Sequence, residues 1–344
     1  MQSWLERPAL GEYLPDCLRM SLGINTKSSK EPLVSGRAAY QQPIDRPIFI
    51  TGLGRSGTTL IHTMLSTHPH VTWLSLLCAK FPGRPYLNRW LMSSIDVPIL
   101  NIYLKRRFVP LENYAFWDFY FAGFSTPNRD LVASDVSLRT KRALRTVASE
   151  LLTAKRRRLL VKITGMPRIS FLHNIFPDAK FIHVLRDGRA VANSRLKGPF
   201  WKGWHGLNIW GGQMPEHYRQ EWERHRRSFV ALAGIEWKTH MDQLEAVKRE
   251  FPNIDICQVR YECFCANPIG ELKRIADHCE LAWDPKFEAA TRAFHVKNEN
   301  EKWKTDLTDE QRAILEEVLG PCLVKYGYEK GQEFDIPKSK YASA

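Results

Sequence analysis

An α/β fold in three layers, with a central, mostly parallel sheet flanked by helices, is what this sequence predicts. Two junctions carry that prediction. At the first, the apolar run Pro47-Ile48-Phe49-Ile50-Thr51 reaches Gly52-Leu53-Gly54-Arg55-Ser56-Gly57, and helical spacing begins at Thr58. At the second, Ala179-Lys180-Phe181-Ile182-His183-Val184-Leu185 runs into Arg186-Asp187-Gly188-Arg189 and another helix. Such near-continuous apolar runs suit strands covered on both faces. Two more, Leu159 to Ile163 and Ile254 to Tyr261, alternate with helical segments as a parallel sheet requires.

The totals frame this core. With 344 residues, 44% of them hydrophobic and 11 tryptophans, the chain is globular and long enough for one large domain or two small ones. Its formal net charge of +13 points to an anionic partner. Nucleic acid, acidic membrane, acidic polysaccharide and a polyphosphorylated cofactor all fit, with simple solubility as the alternative. Seven scattered cysteines, with Cys263-Phe264-Cys265 too tight for zinc pairing, read as reduced thiols. No apolar run approaches the ~18 residues of a spanning helix, and the N-terminus does not read as a secretory signal. A cytoplasmic protein is expected. Residues 1–46 form a helical segment (Trp4 to Met20) and a flexible arm (Asn25 to Ser35). Residues 47–344 form a single domain with an aromatic-rich insertion at about 80–135.

In chain order, a helix runs from Thr58 to Thr67 and stops at Pro69. Val71 to Leu77 reads as a short strand. The rings of the insertion, from Phe81, Tyr86 and Trp90 through Trp117 and Phe124, read as core or as the lining of an acceptor pocket. Leu138 to Arg158 reads as a helix whose basic end, Lys155-Arg156-Arg157-Arg158, complements the helix dipole in solvent. Gly198 to Tyr218, with Trp201, Trp204 and Trp210, reads as a lid or as an aromatic-packed surface loop. Helical spacing from Glu216 to Glu250 breaks near Gly234, and helices follow from Ile269 to Cys279 and after Leu307-Thr308. There is no internal repeat.

Strand, tight glycine turn and helix N-terminus together present backbone N–H groups and a positive dipole end to an anion. Three readings share the residues. Gly52-Leu53-Gly54-Arg55-Ser56-Gly57 matches the dinucleotide pattern, which wants an acid about 20 positions later. Between Asp45 and Asp96 there is none, leaving only a 2′-phosphorylated cofactor such as NADP. A P-loop kinase wants Gly-Lys-[Ser/Thr], where Gly57-Thr58-Thr59 stands. In the third reading, Gly54-Arg55-Ser56-Gly57-Thr58-Thr59-Leu60 resembles the 5′-phosphosulfate loop of sulfotransferases that use 3′-phosphoadenosine 5′-phosphosulfate (PAPS), with Arg55 where many members carry Lys.

The second junction sharpens the resemblance. Phe176-Pro177-Asp178-Ala179-Lys180-Phe181 leading into Arg186-Asp187-Gly188-Arg189-Ala190-Val191-Ala192-Asn193-Ser194 is similar to the 3′-phosphate segment of that family. The resemblance implies a P-loop-like fold in which Arg186 and Ser194 hold the 3′-phosphate. An Arg186–Asp187 salt bridge is the structural alternative. Tyr261-Glu262 with the following Asn267-Pro268 looks like the family's strand end, with Tyr261 near the adenine. Lys297 and Lys302, ahead of Trp303, resemble a late basic loop that closes over the nucleotide.

The implied reaction is sulfuryl transfer from PAPS to a hydroxyl of a small-molecule, lipid or saccharide acceptor, by in-line displacement and without a metal. It needs donors around the leaving phosphate. Arg55 with Gly54, Ser56, Gly57, Thr58 and Thr59 supplies them, Arg55 as a charge and not as a proton donor. Lys162 is a substitute for the family's lysine or a strand-end charge in solvent. For the general base, the candidates are Glu112 and His62, set against a surface carboxylate and a packed helix residue respectively. A nucleic-acid binder rests on charge alone, and the Arg186–Ser194 segment speaks against it.

Overall fold

A computed structural model describes residues 43–125, 129–198, 201, 208–209 and 212–329. The expected N-terminal helix and arm, and about half of the Gly198–Tyr218 stretch, lie outside the described residues.

The chain enters through β1 (Ile48–Gly52), α1 (Thr58–Leu65) and β2 (Val71–Trp73). Then follow α2 (Leu76–Lys80) and, in the stretch expected to be an insertion, α3 (Pro85–Ile95), α4 (Pro98–Arg107) and α5 (Tyr114–Tyr120). Next come α6 (Leu138–Glu150), β3 (Arg158–Thr164), α7 (Ile169–Ile175), β4 (Lys180–Leu185) and α8 (Gly188–Leu196). A two-residue ladder of β5 (Asn208–Ile209) and β6 (Gly212–Gln213) leads to α9 (Glu216–Arg224) and α10 (Phe229–Glu250). The last strand, β7 (Ile256–Arg260), is followed by α11 (Tyr261–Ala266), α12 (Pro268–His278), α13 (Pro285–Arg292), α14 (Trp303–Asp306) and α15 (Asp309–Lys325).

Five strands form one sheet in the order β2-β3-β1-β4-β7, and every pairing in it is parallel. Alternation along β1 sorts the layers: Phe49 faces a core shared with α6, α7, α8, α10 and α15. Ile48 and Ile50 face a second core shared with α1, α11, α12 and α13. Because β1 lies between β3 and β4, successive connections leave it in opposite directions, which opens a crevice at the carboxyl ends of these strands. Register holds Thr51 level with His183, so the loops after β1 and β4 emerge side by side.

Three local readings are corrected. The strand after α1 stops at Trp73, because Ser75 turns the chain and accepts a hydrogen bond from the Leu77 amide at 3.2 Å. The α6 helix ends at Glu150, and the basic run beyond it is not a solvated helix end. Arg156 is buried against Asp96 at 2.9 Å, and Arg158 opens β3 and donates to the carbonyls of Arg46 and Cys279. Helix α10 passes through Gly234 unbroken. A Cβ there would lie 3.1 Å from Val318 and 3.2 Å from Leu315, so the missing side chain lets α15 approach. The break falls instead before Ser228, at Arg226 and Arg227, both left-handed.

Beneath the crevice, His183 of β4 meets His240 of α10 with 3.0 Å between their Nε2 atoms. The His240 Nδ1–H donates to the Gly165 carbonyl at 2.6 Å, which leaves its Nε2 to accept from His183. Burial pushes His240 down to about 4 from an ordinary 6.5. It pushes His183 well below the ordinary value too, with His240 adding to the effect. Both folded values are depressed, so their stabilising contribution is complete above 6.5 and is lost as pH falls through the folded values. Urea unfolding at stepped pH is therefore expected to show wild type losing ground to His240→Gln below pH 6.5. The limit is about 1.4 kcal/mol per pH unit for each histidine. A wild-type-minus-variant difference that stays constant with pH would contradict this.

Candidate active site

The turn after β1 is shaped by what its neighbours exclude. At Gly52 a Cβ would meet the Val184 carbonyl at 2.8 Å, and at Gly57 it would lie 2.5 Å from the Tyr261 ring. Gly57 (φ 93) and Arg55 (φ 78) are both left-handed. For arginine that conformation costs on the order of 1–3 kcal/mol and is retained only when the surroundings fix it. The Ser56 amide closes the turn on the Leu53 carbonyl at 3.1 Å. Helix α1 then starts with no side chain capping it, a backbone arrangement suited to an anion.

Arg186, one residue past β4, is the fixing element. Its Nη1 donates to the Arg55 carbonyl at 2.9 Å, Nη2 to the Glu299 carbonyl at 2.8 Å, and Nε to Asn300 Oδ1 at 3.2 Å. Its guanidinium lies over the Tyr261 ring, 4.2 Å from the centroid. Arg55 in turn donates through Nε to Ser194 Oγ at 2.9 Å. Residues 55, 186 and 194 thus meet at one end of the sheet. The Arg186–Asp187 pairing does not form; Asp187 caps α8 and pairs with Arg189 at 2.8 Å.

Lys297 and Lys302 flank this group, and both ammonium groups pair with Glu299, Lys297 at 3.3 Å. The hydrogen bond from Lys302, helped by that from Lys297 and by the two charges, holds the Glu299 carboxyl below its ordinary value. Tyr261 donates its hydroxyl to the Lys297 carbonyl at 3.1 Å and so ties the same loop to the end of β7.

A second cluster forms beside β1. Lys162 on β3 is not a solvent charge: its side chain is 9% exposed, 2.7 Å from Glu112 Oε1. Its Nζ also donates to Thr59 Oγ1 at 2.8 Å. The other Glu112 oxygen accepts from Thr164 Oγ1 at 2.9 Å, and Tyr114 donates to the Thr164 carbonyl at 2.7 Å. Glu112 is therefore held by two residues of one strand, Lys162 and Thr164 of β3. His62 is buried on α1, its Nε2 without a partner among the described residues. Burial first, and then the charge of Lys162, drive its proton affinity well down.

Thr164, Asn300 and Glu299 were not singled out in the sequence. Thr164 ends a strand at the crevice, a position that favours ligand contact. Asn300 and Glu299 lie within the basic loop but carry no signal of their own. Among the described residues no group of three or more His, Cys, Asp or Glu is arranged to hold a metal ion.

Comparison with known proteins bears on the family and the fold. A model of the sulfotransferase family matches residues 47–285. The chain is 26% identical over 327 residues to omega-hydroxy-beta-dihydromenaquinone-9 sulfotransferase of Mycobacterium bovis, covering 87% of this chain and 80% of that protein. It is 25% identical over 243 residues to protein-tyrosine sulfotransferase A of Caenorhabditis elegans, covering 70% of this chain and 51% of that protein. In three dimensions it is similar to a sulfotransferase of Mycobacterium avium, with a TM-score of 0.51 at 16% identity. That likeness covers 83% of this chain and 77% of the other.

Proposed function

The chain belongs to the sulfotransferase family, and on that premise we propose that it moves a sulfuryl group from PAPS to a hydroxyl of a lipid-like acceptor. Sulfuryl transfer itself follows from the family. The donor, the acceptor class and the residue roles are our reading. One observation carries it: Arg55 and Arg186, from the loops after β1 and β4, and Ser194 of α8 converge on an uncapped helix N-terminus behind a glycine turn.

The residues fit a nucleotide with anionic groups at both its 3′ and 5′ positions. Three of the five N–H groups of Arg186 are engaged, which fixes the guanidinium plane and leaves two for a phosphate. With Ser194 it forms the 3′-phosphate subsite. Gly54, Arg55, Ser56, Gly57, Thr58 and Thr59 hold the 5′ end, and Tyr261 borders the adenine. Lys297 and Lys302 supply further cations once they turn from Glu299. PAPS brings a sulfuryl group activated by a phosphate leaving group. Arg55 and Lys162 lie where negative charge grows on that leaving group, and they stabilise it as preorganised cations. Glu112 takes the proton from the acceptor hydroxyl. Lys162 and Thr164 aim the carboxylate, while His62, buried and depressed in basicity, is the weaker candidate.

The lipid-like acceptor is supported by the quinone substrate in the name of the mycobacterial relative and by the exposed rings of the insertion. A cytoplasmic site of action is supported by the free thiols of Cys78, Cys257, Cys263, Cys265, Cys279 and Cys322. Burial of Arg156 and Arg158 removes much of the basic run that a nucleic-acid partner would use.

Calorimetric titration with 3′-phosphoadenosine 5′-phosphate in metal-free buffer tests the donor, with 5′-AMP and NADPH as controls. Binding that requires the 3′-phosphate is expected. Equal binding of AMP, or a preference for NADPH, would overturn it.

A further inference from the structure

The insertion leaves an apolar surface that the core does not use. Helix α3 turns Leu91, Met92 and Ile95 inward onto Trp73, while Trp90 on its other face is 66% exposed. At the tip between α3 and α4, Val97, Pro98, Ile99 and Leu100 are consecutive and all exposed. Ile99 is 87% exposed, and Tyr103, one turn on, is 70% exposed. Scattered exposed apolar residues need no explanation, but a contiguous apolar tip with aromatic flanks marks an interaction site.

Its occupant is indicated by charge. Residues 80–111 contain six Lys and Arg (Lys80, Arg84, Arg89, Lys105, Arg106 and Arg107) and one acid, Asp96. Asp96 is already committed to Arg156 and Lys155. A two-fold contact between copies would set this cationic surface against itself, which like-charge repulsion opposes. Apolar residues inserted beside Trp, Tyr, Lys and Arg are instead the composition of a segment lying in a bilayer interface. Helix α4 also leads, through Phe108-Val109-Pro110-Leu111, straight to Glu112. The Leu111 amide anchors that connection on the Leu74 carbonyl at 2.9 Å, beside the site.

We propose that the α3–α4 hairpin docks on an anionic lipid bilayer and presents the site to a hydroxylated lipid held there. The inference deepens the proposed function and rests on it for the acceptor chemistry. No spanning helix is involved; none of the described helices is long and apolar enough to cross a membrane. The tip enters the headgroup region while the basic residues meet lipid phosphates.

Co-sedimentation of the full chain with vesicles tests this, using phosphatidylcholine with phosphatidylglycerol against phosphatidylcholine alone. Binding is expected on the anionic vesicles and should weaken with salt. Ile99→Glu with Leu100→Glu, and separately Lys105→Glu with Arg107→Glu, are each expected to weaken it about tenfold or more. All four positions are exposed, so thermal unfolding and 3′-phosphoadenosine 5′-phosphate binding should stay at wild-type values. No vesicle binding, or equal binding by wild type and both variants, overturns the docking surface. So does a concentration-dependent dimer, without vesicle binding, that the Ile99→Glu and Leu100→Glu changes abolish. Nucleotide binding distinguishes the two readings: retained without vesicle binding, it leaves sulfuryl transfer standing and removes the bilayer.

Discussion

Replacing Glu112 by glutamine is expected to lower kcat by about 10²–10⁴-fold, the usual contribution of a positioned general base. The substitution keeps the size, lets the amide oxygen accept from Lys162 while its NH2 donates to the Thr164 hydroxyl, and removes the negative charge that accepts a proton. Geometry favours this carboxylate. One oxygen lies 2.7 Å from Lys162 and the other accepts from Thr164 at 2.9 Å, yet 23% of the side chain stays open to an acceptor. The competing account makes Glu112 merely the counter-ion of a buried lysine. Removing one partner from a buried pair costs about 3–5 kcal/mol, so that account predicts a fall in stability as its main effect. The two separate in a cycle of Glu112→Gln, Lys162→Met and the double variant, each measured for kcat, for affinity toward 3′-phosphoadenosine 5′-phosphate and for thermal unfolding. A base gives a kcat loss with nucleotide affinity unchanged, and a double variant less impaired than the product of the singles. If Glu112→Gln keeps more than a tenth of wild-type kcat, proton abstraction lies elsewhere.

What could be read from the sequence was what is local along the chain. A strand entering a glycine turn and a strand entering Arg-Asp-Gly-Arg are contiguous patterns, and a parallel sheet with β1 at its switch point puts such loops together. Three-dimensional neighbours distant in sequence were not legible. Nothing near Lys162 announces Glu112, 50 positions earlier on the connection between α4 and α5. Arg156 and Arg158 looked like surface charge because four cations in a row usually are; one acid, Asp96, and a set of backbone carbonyls were enough to bury two of them. Gly234 misled for the opposite reason. Glycine disfavours a helix by about 1 kcal/mol relative to alanine, but here it admits Leu315 and Val318 of α15, and that packing outweighs local propensity.

Arg186→Ala is expected to reduce affinity for 3′-phosphoadenosine 5′-phosphate by about 10²–10³-fold while weakening 5′-AMP by much less. Two charge-assisted hydrogen bonds at about 1.5–3 kcal/mol each set the upper range, and about 1.4 kcal/mol per decade converts them to affinity. The full sum is not reached, because water replaces part of what is lost. A purely structural role would act differently. Arg186 pins the carbonyls of Arg55 and Glu299 and the Asn300 amide, so its removal loosens the loop that grips the 5′ end as well. If bracing were its whole contribution, both nucleotides would weaken in parallel. The ratio of the two affinities is therefore the decisive readout: it falls toward one if Arg186 holds the 3′-phosphate and stays at the wild-type value if it only braces. Arg186→Lys refines the test, since it restores the charge without the planar fork that reaches three acceptors and a phosphate together. It should recover part of the preference for the 3′-phosphate and little of the loop's rigidity, leaving affinity between wild type and Arg186→Ala.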